Sequence, residues 1–144
     1  MIVLLYMIEK NIPGLYYFFI GEEVGCIGSS DLADELSKDG DVPPELKNIN
    51  KVISFDRRGT DSVITDQFYG NCCSNEFAND LCLKLNNTNH GLKMKPDDTG
   101  VLTDSAQFMG IIPECTNISV GYYDEHTTKE KQDINHLYRL CKSV

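Results

Sequence analysis

Residues 15–20, Leu-Tyr-Tyr-Phe-Phe-Ile, are the run that most limits how this chain can fold. Pro13-Gly14 breaks the chain before it and Gly21 after it. Unbroken rather than alternating hydrophobicity marks a strand buried on both faces, as in a sheet covered by helices. The rest of the chain supplies the elements such a fold needs. Residues 51–55 read as a second strand ending at Asp56, 62–65 as a short third, 92–95 as another, and 116–123 as a longer one. Between them the pattern predicts a helix over 30–37, with Leu32, Ala33 and Leu36 facing inward. A second helix covers 75–85, where Phe77, Leu81 and Leu85 repeat every four residues. One or two helical turns are expected over 103–109. Residues 38–50, with Pro43-Pro44, read as a loop, and 96–100 as a turn. Thr127-x-x-Glu130 fits a capping box opening the last helix, whose inner face would be Ile134, Leu137, Cys141 and Val144. Strands alternating with helices predict an α/β fold, a three-layer αβα domain with a mostly parallel mixed sheet.

A chain of 144 residues makes one domain, 1–144, and buries a core without a disulfide or metal staple. With 13 basic and 22 acidic residues the net charge is −9. Such a chain repels phosphate backbones and anionic lipid, so neither nucleic acid nor membrane is the expected partner. Residues 1–8 are apolar but shorter than the roughly 20 residues a bilayer requires. They also lack the basic flank and cleavage site of a signal peptide. A cytoplasmic location is therefore expected, with the six cysteines as reduced thiols. No cysteine pair has the C-x-x-C spacing of a zinc site, and Cys72-Cys73 reads as packing. The opening segment, residues 1–10, has no polar cap. It reads as the back half of a buried helix whose start is missing, or as a strand.

Three groups of polar residues sit where α/β proteins keep their sites, at strand ends. Glu22-Glu23 follows the first run, Asp56 ends the second strand, and His126 lies between the 116–123 strand and the last helix. Two carboxylates and an imidazole suit zinc, whose oxygen and nitrogen ligands lie at about 2.0–2.2 Å. Adjacent glutamates repel each other. A bound dication relieves that repulsion for one, and the other then acts as a base toward water. The same pair also suits a solvated helix start, near the positive end of the helix dipole. Asp56 also suits a turn, and His126 an exposed loop. His90 and His136 read as surface residues. No Ser lies in a G-x-S-x-G turn, and the glycines at 21, 25 and 28 do not make a phosphate loop.

Taken together these segments resemble the di-zinc exopeptidases, the clan of zinc aminopeptidases and carboxypeptidases. Phe-Phe-Ile-Gly-Glu22-Glu23-Val-Gly-Cys-Ile-Gly28-Ser resembles their Glu-Glu segment. Val52-Ile-Ser-Phe-Asp56 resembles the strand ending in a metal aspartate. Thr103-Asp104-Ser105, with Phe108 and Gly110-Ile-Ile-Pro113, resembles their Ser-Asp-x-x-x-Phe-x-x-x-Gly-Ile-Pro stretch, and Ser119-Val-Gly-Tyr-Tyr-Asp-Glu-His126 the loop of the last metal histidine. The resemblance implies a metallopeptidase that hydrolyses peptide ends. Glu22 would be the general base and acid, Glu23 and His126 would bind one zinc, and Asp56 the other. Arg57 and Arg58 would either contact a substrate carboxylate or lie solvated on the surface.

The family also has a histidine and a bridging aspartate upstream, and nothing in this chain matches them. The chain therefore reads as the C-terminal part of such a catalytic domain, with one zinc or none instead of two. Three forms are open: one piece of a split enzyme, completed by an N-terminal chain; a truncated remnant; or a catalytically silent binding or assembly subunit on the same fold. In each, the sheet would expose an apolar edge or face. The purified chain should therefore self-associate or require a partner. Size-exclusion chromatography giving a stable, dilute monomer with a cooperative melt would contradict this.

Overall fold

The computed structural model describes residues 1–38 and 43–144. Helix α1 (Ile2–Glu9) is followed by a 3-10 turn over Glu22–Val24 and helix α2 (Ile27–Ser37). Strands β1 (Lys51–Arg57), β2 (Ser62–Ile64), β3 (Asp66–Gln67) and β4 (Gly70–Asn71) lead to helix α3 (Asn75–Asn86). Strand β5 (Lys95–Asp97), a 3-10 turn (Asp104–Phe108), β6 (Glu114–Ser119), β7 (Tyr122–Tyr123), β8 (Lys131–Gln132) and helix α4 (Ile134–Ser143) complete the order.

The main sheet has the order β1-β6-β2-β5. β1 and β6 run parallel in register from Lys51↔Glu114 to Ser54↔Asn117, with an irregularity before Arg57↔Ser119. β2 is parallel to β5 and antiparallel to β6, meeting it at Val63↔Ile118. The sheet is thus mixed and mostly parallel, within a three-layer αβα arrangement. Central β6 is buried on both faces, with Cys115, Thr116, Ile118 and Ser119 at or near zero exposure. That is the environment expected of a strand covered by helices.

The helices begin where the sequence offers caps. Ser74 Oγ accepts from Phe77 N–H at 3.1 Å and opens α3, which buries Ala78, Cys82 and Leu85. Asp133 accepts from His136 N–H at 2.9 Å and opens α4. The capping-box expectation at Thr127 and Glu130 is thus displaced. Those residues form a turn, in which Glu130 accepts from His126 N–H at 3.2 Å. The inner face of α4 shifts with it: His136, Leu140 and Cys141 are buried, while Ile134 is exposed. His136 is therefore no surface residue. Its Nε2 lies 3.0 Å from the Ser119 carbonyl, a polar partner that makes burial tolerable.

Several expectations hold at the level of elements. The opening segment is a helix, the strands at 51–57 and 62–64 form, and the loop over 38–50 is seen as turns over 43–50, residues 39–42 lying outside the described residues. The strand read at 92–95 forms three residues later, over Lys95–Asp97, and the one at 116–123 divides at Val120-Gly121 into β6 and β7. All six cysteines are free and buried. Residues 15–20 depart most. They form no strand, and Ile20 is 78% and Phe18 49% exposed. Hydrophobicity creates a demand for burial; it does not supply the neighbouring strand that would satisfy it.

Beside the sheet, Asp97 anchors β5. Burial alone would raise its carboxyl, but Ser62 Oγ, the Thr99 N–H and hydroxyl, and the Arg57 guanidinium at 3.7 Å outweigh that and hold it below the usual carboxylate range. A depressed carboxyl stabilises the fold above its unfolded pKa, near 3.9, and the contribution is lost as pH falls through the folded value. Asp97→Asn should cost about 1–2 kcal/mol at neutral pH and show less further loss than the parent below about pH 4. Urea melts at both pH values check this; an equal deficit at both would refute the linkage.

Candidate functional site

Gly21 begins the site. At φ +72 it takes a left-handed turn that favours glycine, and an added Cβ would meet Ile27 at 3.1 Å. The turn sends the chain from residues 15–20 into the Glu22–Val24 3-10 turn, which carries Glu22 and Glu23. Asp56 comes from the C-terminal end of β1, and the loop after β6 and β7 carries His126. These three sources meet. Glu22, Glu23, Asp56 and His126 all line one cavity of about 620 Å³, together with Arg57, Arg58, Tyr122, Glu125 and Glu130.

Within that cavity the nearest pair is His126 Nε2 and Glu23 Oε2, at 3.6 Å, both side chains well exposed. Glu22 is half buried. Burial, then Asp56, Glu23 and Asp104, push its carboxyl up to about 7, against a smaller opposing effect of His126. The Asp56 residue is exposed at the end of β1. The protein around it still raises its pKa through lost solvation, while Thr103 Oγ1 at 3.4 Å works the other way. Burial also raises Asp104, opposed by the Ser29 hydroxyl, which donates to it at 2.6 Å.

The backbone of Asp56 is clamped from both sides. Its N–H donates to Asn117 Oδ1 at 2.9 Å, and its carbonyl accepts from the Tyr122 hydroxyl at 2.8 Å. Sequence reasoning missed both clamps. Asn117 had a signal, since an amide in the middle of a strand covered on both faces requires a partner; Tyr122 had none beyond its place near the strand end. Arg57 and Arg58 also line the cavity, but Arg57 donates to Thr99 at 2.8 Å and Arg58 pairs with Glu125 at 3.0 Å. Glu22, Glu23, Asp56, Glu125 and Glu130 outnumber those two guanidiniums, so the cavity favours cations.

Left-handed backbone gathers here. Cys26 (φ 55), Asp124 (φ 57) and His126 (φ 60) are non-glycine residues at positive φ, beside Gly21 and Gly25. Such conformations persist only where the surrounding structure holds them. The donor set of carboxylate oxygens and an imidazole has the chemistry of a zinc site. Its geometry fits only in part: Glu23 and His126 meet, but among the described residues no group of three or more His, Cys, Asp or Glu is placed to hold a metal ion.

The fold has a known counterpart. The chain superposes on a solved structure described as PhTET1-12s, a dodecamer in the asymmetric unit, with a TM-score of 0.69 and 19% sequence identity. The match covers 98% of this chain and 45% of that one, so this chain spans less than half the length of its counterpart. At that identity the likeness is one of fold. No family profile matches the sequence, and no curated protein matches it significantly.

Tyr122→Phe should remove the donor to the Asp56 carbonyl at a cost of about 1 kcal/mol. Urea denaturation would show a lower midpoint with an unchanged slope. An unchanged midpoint would mean that water replaces the hydroxyl without loss.

Proposed function

We propose that this chain is the C-terminal part of a metal-dependent exopeptidase domain, acting on the amino ends of peptides. The single observation that carries the reading is the meeting of Glu22, Glu23, Asp56 and His126, from three separate segments, around one acidic cavity. Their order and spacing resemble the di-zinc exopeptidase motifs, and the fold likeness to PhTET1-12s supports a peptidase-type scaffold. The excess of carboxylates favours a peptide's protonated amino end over its carboxylate end.

In this reading Glu23 and His126 hold one zinc, and Asp56 contributes to a second position. Zinc, when bound, supplies polarisation of the scissile carbonyl and a more acidic water. Glu22 takes the proton of the attacking water and returns it to the leaving amine. Asn117 and Tyr122 keep Asp56 at the cavity. Arg58 is engaged by Glu125 and so is withdrawn from substrate. Completion of the ligand set belongs to a complementing N-terminal chain or to assembly with further copies; the fold counterpart was solved as a dodecamer. A cytoplasmic location goes with this reading, and among the described residues no helix is long and apolar enough to cross a membrane.

A second reading is a catalytically silent assembly protein on the same scaffold. The absence of any three-residue ligand cluster among the described residues favours it.

Two measurements separate these readings. Zinc titration by calorimetry should give a bound ion whose affinity falls about tenfold or more in Glu23→Gln and His126→Ala, a loss of at least 1.4 kcal/mol. Glu22→Gln should keep zinc while reducing hydrolysis of an amino-acid amide by about a hundredfold or more. Less than one equivalent of zinc and no cleavage would leave the silent reading.

A further inference from the structure

Cys72 and Cys73 are neighbours in sequence, and both are buried, at 4% and 2% exposure. Successive side chains of an extended strand point to opposite faces. These two do not. The Cys72 thiol lies 3.5 Å from the Ile64 carbonyl oxygen, and the Cys73 thiol 3.4 Å from the same atom. The chain leaves β4 at Asn71 and enters α3 after Ser74, and between them it brings both sulfurs to one side. Its backbone is fixed there. Cys72 N–H donates to the Thr65 carbonyl at 2.8 Å, and the Cys72 carbonyl accepts from Cys115 N–H at 2.7 Å.

The shared carbonyl has more donors than it can serve. Thr116 Oγ1 also donates to it, at 2.6 Å. Three side-chain donors thus address an oxygen with two lone pairs. The hydroxyl takes the short bond, and neither thiol proton has a strong partner. The thiols also act on each other. The Cys73 thiol, aided by Gln67 and against burial, holds Cys72 below the ordinary thiol range, and Cys72 pushes Cys73 up in turn. Asp66 and Glu114 add negative potential around the pair. That field opposes two bare thiolates and favours a cation between them.

We propose that Cys72 and Cys73 form a two-coordinate site for a soft monovalent cation of the copper(I) class, held between their two thiolates. Three features specify the ion. Thiolate ligands select soft metals, copper(I) among them. The ligand set is a pair: Cys115 turns its thiol to the Ile112 carbonyl at 3.4 Å, and among the described residues no set of three His, Cys, Asp or Glu forms a metal site. Structural zinc takes four ligands, which this place does not supply. Binding exchanges two thiol protons for one ion: two S–H bonds break, two sulfur–metal bonds form, and the protons pass to solvent. No electron is transferred. Exposed Asn71 and Ser74 flank the pair, and the β3–β4 hairpin beside it is held at two paired positions, so its opening gives the ion a path. Neither cysteine lines the cavity of Glu22 and His126, so the proposal stands or falls apart from the peptidase reading.

The test uses the full reduced chain without oxygen, with copper(I) supplied against a competing colorimetric chelator. One equivalent should bind, and X-ray absorption should show two sulfur neighbours. Affinity should fall about a hundredfold or more in Cys72→Ser and in Cys73→Ser, and stay within about twofold in Cys82→Ser and Cys141→Ser. Should the first two variants fail to fold, hydrogen exchange on the unaltered chain decides: copper(I) should slow it by about tenfold or more across residues 65–74. The proposal is overturned by less than one equivalent, by a third sulfur neighbour, by affinity that survives in either folded variant, or by exchange that slows only elsewhere.

Discussion

The parallel pairing of β1 with β6 is the interaction on which the rest depends. It brings together residues such as Asp56 and Asn117 that are 61 apart in sequence, so the chain must close a long loop before the pairing repays it. The pairing sets the polar end of the sheet as well as its core. At their C-terminal ends both strands release loops on one side, and there Asp56, Arg58, Tyr122 and His126 gather. Val120 N–H donates to the Arg57 carbonyl and Gly121 N–H to that of Gly59, which fastens the two loops to each other.

Charge and backbone conformation at the cleft follow from this convergence. Carboxylates that would be harmless on an open surface are crowded onto one wall, and the half-buried Glu22 has the proton affinity of a group poised near neutrality. The loops that hold them contain residues in left-handed conformations, which locally favoured geometry would avoid. His136, under the end of β6, and Ser119, whose hydroxyl donates to the Arg58 carbonyl, brace these loops from below. Packing, in other words, maintains an acidic, strained cleft.

Much of the fold could be read from pattern. The helix at 75–86 and the strand at 51–57 follow from apolar spacing, since that spacing reports which face seeks burial, while the last helix and the strand read at 116–123 form with different starts and ends, over Ile134–Ser143 and Glu114–Ser119. The reading failed where the outcome depends on a partner. Residues 15–20 have the composition of a central strand, but a strand exists only when another edge lies alongside it. The Thr127–Glu130 pattern lost to Asp133 because α4 starts after β8 has paired with β7, a tertiary matter that no local motif reports. Of the site, the carboxylates and His126 were visible as residues at strand ends. The clamps from Asn117 and Tyr122 and the engagement of Arg58 by Glu125 were not, because each joins positions far apart in sequence.

By itself the sequence determined the class of architecture, the acidic character of the molecule, and the residue types available for chemistry at the strand ends. Those properties come from local composition and periodicity, which every folded arrangement of the chain must respect. Only the tertiary structure decided that Glu22, Glu23, Asp56 and His126 share one cavity, that His136 is buried, and that the thiols of Cys72 and Cys73 reach one carbonyl. Those outcomes arise from which segments become neighbours, and neighbourhood is set by the packing of the whole chain.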